Sequence, residues 1–342
     1  MRIRNLEWPA TYTRPMDFGH SPWVALAVAL GCGLLIGIER ERRKGSGASR
    51  APAGVRTFSI AALAGALAQS LEQPLLVAAG HEVTGTTRHA DKLDYIAVTG
   101  ARPILMNALE RSSVYSALQT AQPDVVAHQL TDLVARDFAA NSRLRVEGTR
   151  NLVDAARACG VERLIAQSIA WVCGAGERPS TEDDPLDLDA PEPRCRTVLA
   201  VKALEDAVTE VPNGVVLRYG LLYGPGTWYA RDGLTTEQVR SGALTATDAI
   251  ASFVHVEDAV QAALAALTWS PGVYNIVDDE PAAGTDWLPY YASLIGAPPP
   301  PIEHRRDAWE RGVSNAKAHA AGWNPTYPSW RVGFQQELGA TG

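Results

Sequence analysis

Within LRYGLLYGPG (217–226) a guanidinium, Arg218, stands beside two phenols, Tyr219 and Tyr223. Paired N–H donors let an arginine grip a phosphate or a carboxylate, and a phenol can donate or accept at a substrate oxygen. Other candidates carry less. His255, in SFVHVEDAV, follows a strand-like run and reads as a packed, half-buried histidine rather than a base. Asp183 and Asp184, in TEDDPLDLDAPEP, read as a solvated acidic loop, and His81 and His128 fall at strand ends with no evident partner. The four cysteines, at 32, 159, 173 and 195, show no metal-ligand spacing and are too sparse to staple the chain. No metal site is expected, and a reducing compartment suits the thiols.

These side chains need a scaffold. The chain has 342 residues, 46% hydrophobic and 20% charged, with 31 Lys and Arg against 38 Asp and Glu, a net charge of −7. The length fits about two domains or one large α/β unit at roughly 150 residues each. The acidic balance argues against nucleic acid as the partner, because a duplex binder presents a basic face. From 75 onward, short apolar runs alternate with helix-length segments. His81–Gly85, Arg102–Met106, Val125–His128, Leu164–Gln167, Val215–Leu217 and Val273–Val277 read as strands; Ser113–Ala121, Arg145–Cys159 and Val198–Glu210 read as helices. That alternation predicts a doubly wound parallel sheet with right-handed crossovers.

The N-terminal segment differs. Residues 1–22 form an irregular leader with Pro9, Pro15 and Pro22, followed by an uncharged run, Trp23–Ile38. At ~1.5 Å per residue that run covers about 24 Å, short of a ~30 Å hydrocarbon core but close enough to predict a membrane helix. A basic linker ends at 56, and a second apolar run, Phe58–Leu71, stops before Glu72, Gln73 and Pro74. The two runs and their joint, with Gly37, Glu39 and Arg40 and then Ala53, Gly54, Arg56 and Thr57, resemble the opening of MgtC/SapB-type membrane proteins over about 22–71.

From about 75 to 342 the chain resembles the NAD-dependent epimerase/dehydratase family, the extended and atypical branch of the short-chain dehydrogenases. LLVAAGHEVTGTTR, VEGTRNLVDAARACGVERLIAQS (146–168), LRYGLLYGPG, SFVHVEDAV and SNAKAHAAGWNP (314–325) carry the likeness and keep the family's order. The resemblance implies a Rossmann-like domain over 57–215 and a small C-terminal substrate lobe, mostly 216–342, behind one or two apolar helices. It implies NAD(P) as cofactor and a small-molecule substrate, for instance a nucleotide sugar. Arg88, where an acidic residue would serve NAD, favours the 2′-phosphate of NADP. Asn107 takes the adenine-contacting position and Lys202 the position that meets the nicotinamide ribose, while Arg218 and Tyr223 fall on the substrate side.

Several motif positions depart from the family. Its Gly-x-x-Gly-x-x-Gly turn would fall on Leu63, Ala66 and Gln69, none a glycine, which predicts weakened dinucleotide binding because side chains stand where the backbone must approach the pyrophosphate. Thr57–Ala62 can still supply the first strand. In the Tyr-x-x-x-Lys pair the lysine is Lys202, but the tyrosine is Val198; the catalytic Ser/Thr falls on Ile169, beside Ser168; the usual Asn is Arg145. A valine transfers no proton, so impaired or altered catalysis is expected, and Lys202 is a remnant of the catalytic set.

The linker over 39–56 carries six basic and two acidic residues, which orients it to the cytoplasm. One anchor through 23–38, with the α/β domain at the inner face of the plasma membrane, reconciles that orientation with NADP and unpaired thiols. The expected function is that of an epimerase/dehydratase- or reductase-like protein. The alternatives are a non-catalytic NADP- or ligand-sensing module and a gene-fusion product without dehydrogenase activity.

Overall fold

The computed structural model describes residues 57–61, 76–77, 80–131 and 137–339. Strands β1 (Thr57–Ala61), β2 (Glu82–Thr87), β3 (Arg102–Leu105), β4 (Val125–His128), β5 (Arg163–Ile169) and β6 (Asn213–Tyr219) precede a short pair, β7 (Leu221–Tyr223) and β8 (Phe253–His255), and then β9 (Gly272–Ile276). All but the short pair join one 7-stranded sheet of order β9-β6-β5-β4-β1-β2-β3. Every neighbouring pair in it is parallel. The chain runs outward from β1 to β3 and returns on the other side at β4, so the order reverses between β1 and β4. In open α/β sheets that reversal opens the crevice where a dinucleotide binds.

The first strand settles how the second apolar run begins. Thr57–Ala61 pairs with Glu82–Gly85 on one side and with Val125–His128 on the other. Its backbone groups are therefore bonded across two parallel ladders, as expected of Thr57–Ala62 as the first strand. Among the described residues no helix is long and apolar enough to cross a membrane. The expected anchor through 23–38, the basic linker and the positions Leu63, Ala66 and Gln69 lie outside the described residues.

The sheet is buried on both faces, as parallel sheets are, and alternation along the strands divides its residues. Leu164, Ala166 and Val216 pack with Val114, Leu118, Leu152, Val153, Leu204 and Val208 of the helices on one side. Ile165, Val215 and Leu217 pack with Ala259, Ala262, Trp269 and Trp323 on the other. The helices of the first face are α1 (Arg111–Ala121), α2 (Thr149–Ala158) and α3 (Arg194–Thr209). The expected helix over 145–159 is divided: Leu144–Gly148 is one π-helical turn, and the α-helix starts at Thr149.

The C-terminal lobe is held by aromatic packing. Tyr223, Phe253, Tyr291, Trp330 and Phe334 are buried together, with ring centroids of Tyr223 and Phe334 4.9 Å apart. Gly333 is required there, because a Cβ would collide with the Tyr223 hydroxyl. Asp258 ties the last segment down by accepting from the N–H groups of Thr326 and Tyr327, at 2.6 and 3.0 Å.

Asp278 lies in this lobe, 2% exposed, and one of its carboxylate oxygens has no hydrogen-bond partner. Burial raises its pKa from 3.8 to about 8, the nearby Glu280 and Asp279 adding to the rise against hydrogen bonds from two backbone N–H groups. The fold therefore holds this carboxyl protonated while the unfolded chain ionises it. Stability from this group is complete below about pH 4 and lost as pH rises through about 8. Asp278→Asn is expected to leave the melting temperature at pH 4 near that of the wild type and to raise it at pH 9, by about 2–4 °C for each kcal/mol relieved. Thermal melts across that range check it.

Candidate active site

The C-terminal ends of β4 and β5, the π turn and α3 bring a polar cluster together inside an otherwise apolar layer. Its centre is Glu205, 6% exposed on α3. Glu205 accepts from Arg218 at both oxygens, Nε at 2.8 Å and Nη2 at 2.7 Å, and from the Ser168 hydroxyl at 2.8 Å. Arg218 is 4% exposed. Its expected outward grip on a substrate is corrected on this ground: the guanidinium closes a bidentate pair inside the protein, where β6 places it opposite α3.

His128 ends β4 and is fully buried, with its Nε2 2.7 Å from the Thr149 hydroxyl and its Nδ1 accepting from the Leu130 N–H at 3.2 Å. Burial, reinforced by the Arg145 charge, lowers its pKa to about 3, so it is neutral at ordinary pH. The partner that the sequence pattern did not supply is Thr149. Arg145, on the π turn, is 8% exposed. Burial lowers its pKa to about 10, partly offset by the Glu205 charge.

Val198, one helical turn before Lys202, is fully buried and brings only methyl groups to this layer. Lys202 is partly exposed, its ammonium 2.5 Å from Asp206. Ile169 ends β5 half-buried, and the neighbouring Ser168 spends its proton on Glu205. Neither Val198 nor Ile169 carries a hydroxyl.

The edge on the far side of the reversal carries the expected cofactor residues. Arg88 directly follows β2 and is exposed, its Nε 3.0 Å from His89 Nε2. Within that strand Thr86 is buried with its hydroxyl unpartnered. Asn107 follows β3; its amide donates to Glu110 at 2.8 Å, and its oxygen accepts from the Leu109 N–H at 3.2 Å. Cationic, amide and hydroxyl groups thus stand at the ends of β2 and β3, on the β1 side of the strand-order reversal. Among the described residues no cluster could hold a metal ion, and Cys159, Cys173 and Cys195 are free thiols.

This topology and the motif order agree with the match of residues 65–277 to the family profile described as "NAD dependent epimerase/dehydratase family". The chain belongs to that family. It is 44% identical over 289 residues to a 3-diazoavenalumate denitrifying reductase from a Streptomyces species, covering 77% of this chain and 94% of that protein. Among solved structures it resembles the UDP-glucose 4-epimerase of Thermotoga maritima with UDP-glucose, at 19% identity and TM-score 0.66, covering 82% of this chain and 97% of the other. It also resembles the Bordetella bronchiseptica enzyme WbmG in complex with NAD and UDP, at 19% identity and TM-score 0.68, covering 83% and 94%. At those identities the two structures speak for the fold.

Within the family's frame, Tyr223 is corrected as well. It is fully buried among Phe253, His255 and Phe334, and its unpartnered hydroxyl is pushed above the ordinary phenol range by burial. It is a packing residue of the lobe, not a substrate contact. His255 is buried and caps the helix Val256–Ala265, its Nδ1 accepting from the Glu257 N–H at 3.2 Å. Asp184 holds its own loop through the Thr181 N–H and hydroxyl and pairs with Arg178 and Arg311. Glu205 is the residue that sequence reasoning missed. Its signal was a carboxylate falling in the stripe Val198, Val201, Leu204 and Val208 of an apolar helix face.

Removing one member of a buried pair leaves the other uncompensated, at a cost of about 3–5 kcal/mol. Glu205→Gln is expected to be destabilised by that order, and the double variant Glu205→Leu with Arg218→Met to recover most of the loss. Urea titrations of the three proteins measure both.

Proposed function

We propose that this protein is an NADPH-dependent reductase that removes dinitrogen from a diazo-bearing organic acid. The 44% identity to a denitrifying reductase, over nearly all of that protein's length, supports the reaction class. The observation that carries the reading is Val198, buried and protonless where carbonyl reduction or sugar epimerisation would need an acid or base.

Arg88, Asn107 and Lys202 would hold a dihydronicotinamide dinucleotide, which would supply a hydride; its transfer to the diazonium-bearing carbon would form a C–H bond as the C–N bond breaks and N2 leaves. That exchange creates no alkoxide for a side chain to protonate. Val198 offers no proton at that position, which suits a reaction that needs none.

On the cofactor side, Arg88 is the group for the 2′-phosphate. The Asn107 oxygen, engaged once by Leu109, keeps a lone pair for the adenine amino group. Lys202 has three protons, one directed at Asp206, leaving two for ribose hydroxyls. Side chains in place of the three glycines lower affinity in this reading without abolishing the reaction. Epimerisation of a nucleotide sugar is disfavoured because it must take a proton from a sugar hydroxyl, and no described residue at the Val198 or Ile169 position can accept one.

Incubating the purified protein with NADPH and 3-diazoavenalumate is expected to release one N2 for each NADPH oxidised. Turnover of UDP-glucose with no N2 release would contradict the proposal. Arg88→Ala is expected to lose most of the preference for NADPH over NADH while keeping the N2-to-cofactor ratio, measured from initial rates with each cofactor.

A further inference from the structure

We infer that Arg145 receives the carboxylate of the substrate, so that the site selects organic acids over their esters. Arg145 is more than nine-tenths buried, yet it makes no hydrogen bond or ion pair among the described residues. None of its nitrogens is among the sealed, unpartnered polar atoms, so the guanidinium keeps some contact with solvent. A buried guanidinium with five donors and no acceptor is costly unless something anionic completes it.

Charge counting around it gives the sign of that missing partner. Glu205 is the carboxylate that acts on Arg145, and Arg145 in turn acts on His128. Glu205 is already taken at both oxygens by Arg218 and at one by Ser168. His128 is neutral and occupied by Thr149 and the Leu130 N–H. Arg218 therefore holds the Glu205 carboxylate, Glu182 also acts on Arg218, and no carboxylate among the described residues pairs with Arg145. A planar fork with an accessible edge matches a carboxylate through two parallel N–H···O bonds.

Local backbone geometry supports the same assignment. Arg145 lies on the only π-helical turn among the described residues, Leu144–Gly148. Such turns insert a residue into a helix and occur often at functional sites. Here the turn ends against Thr149, the partner of His128, so that contact fixes where the α-helix starts. The inference rests on the reductase reading only for the choice of acid.

Calorimetry with the NADP-saturated protein tests it, using avenalumate (the denitrified acid) and its methyl ester as probes on the wild type, Arg145→Lys and Arg145→Gln. The wild type is expected to bind the acid and to bind the ester about 10- to 100-fold more weakly, the range of a charge-assisted hydrogen bond. Arg145→Gln should lose that discrimination, Arg145→Lys should keep part of it, and with the diazo acid the rise in KM should exceed the change in kcat. Arg145→Gln should melt no lower than the wild type, since no internal pair is broken. Equal binding of acid and ester by the wild type, or equal loss of both in Arg145→Gln, would overturn the assignment. Acid selectivity without N2 release would sink the reductase reading alone, and N2 release without acid selectivity would sink the Arg145 assignment alone.

Discussion

One buried carboxylate organises the site. Glu205 draws Arg218 from β6 and Ser168 from β5 onto α3, and these contacts fix the distance between the sheet and the helix that carries Val198 and Lys202. Such a pair is no great source of stability, because desolvation offsets much of its attraction. What it gives is position. Both Glu205 oxygens already accept from Arg218, so Arg145 is left without a hydrogen-bonded counter-ion, beside a neutral histidine. The specificity of the site follows from that imbalance.

Much of the fold was legible in the sequence. Val125–His128 was read with the bounds it has in the sheet, and Arg163–Ile169 and Asn213–Tyr219 extend the expected strands by a few residues, because β-branched and aliphatic runs between turn residues declare themselves. Thr57–Ala61 was ambiguous. A short apolar run fits a strand or a helix, and only the two parallel neighbours decide.

The site was less legible, for a physical reason. Arg218 and Tyr223 are residue types that often meet ligands, and motif position put them on the substrate side. Which way each points depends on the partner across the layer. Glu205, thirteen residues before Arg218, captures one, and the aromatic cluster with Gly333 encloses the other. The loss of the tyrosine at Val198 was plain from the sequence, but its meaning changed once the neighbours were placed. Ser168, the hydroxyl next to Ile169, is committed to Glu205.

The account thus treats the missing acid as part of the chemistry: a scaffold that holds a hydride donor and an anionic acceptor while keeping side-chain protons out of the reaction. The most direct test is the isotope sensitivity of N2 release from 3-diazoavenalumate, with NADPH deuterated at C4 and, separately, with D2O as solvent. The account predicts a normal primary effect from the cofactor deuterium and almost none from the solvent. A large solvent effect together with no cofactor effect would show that proton transfer governs the reaction and would contradict it.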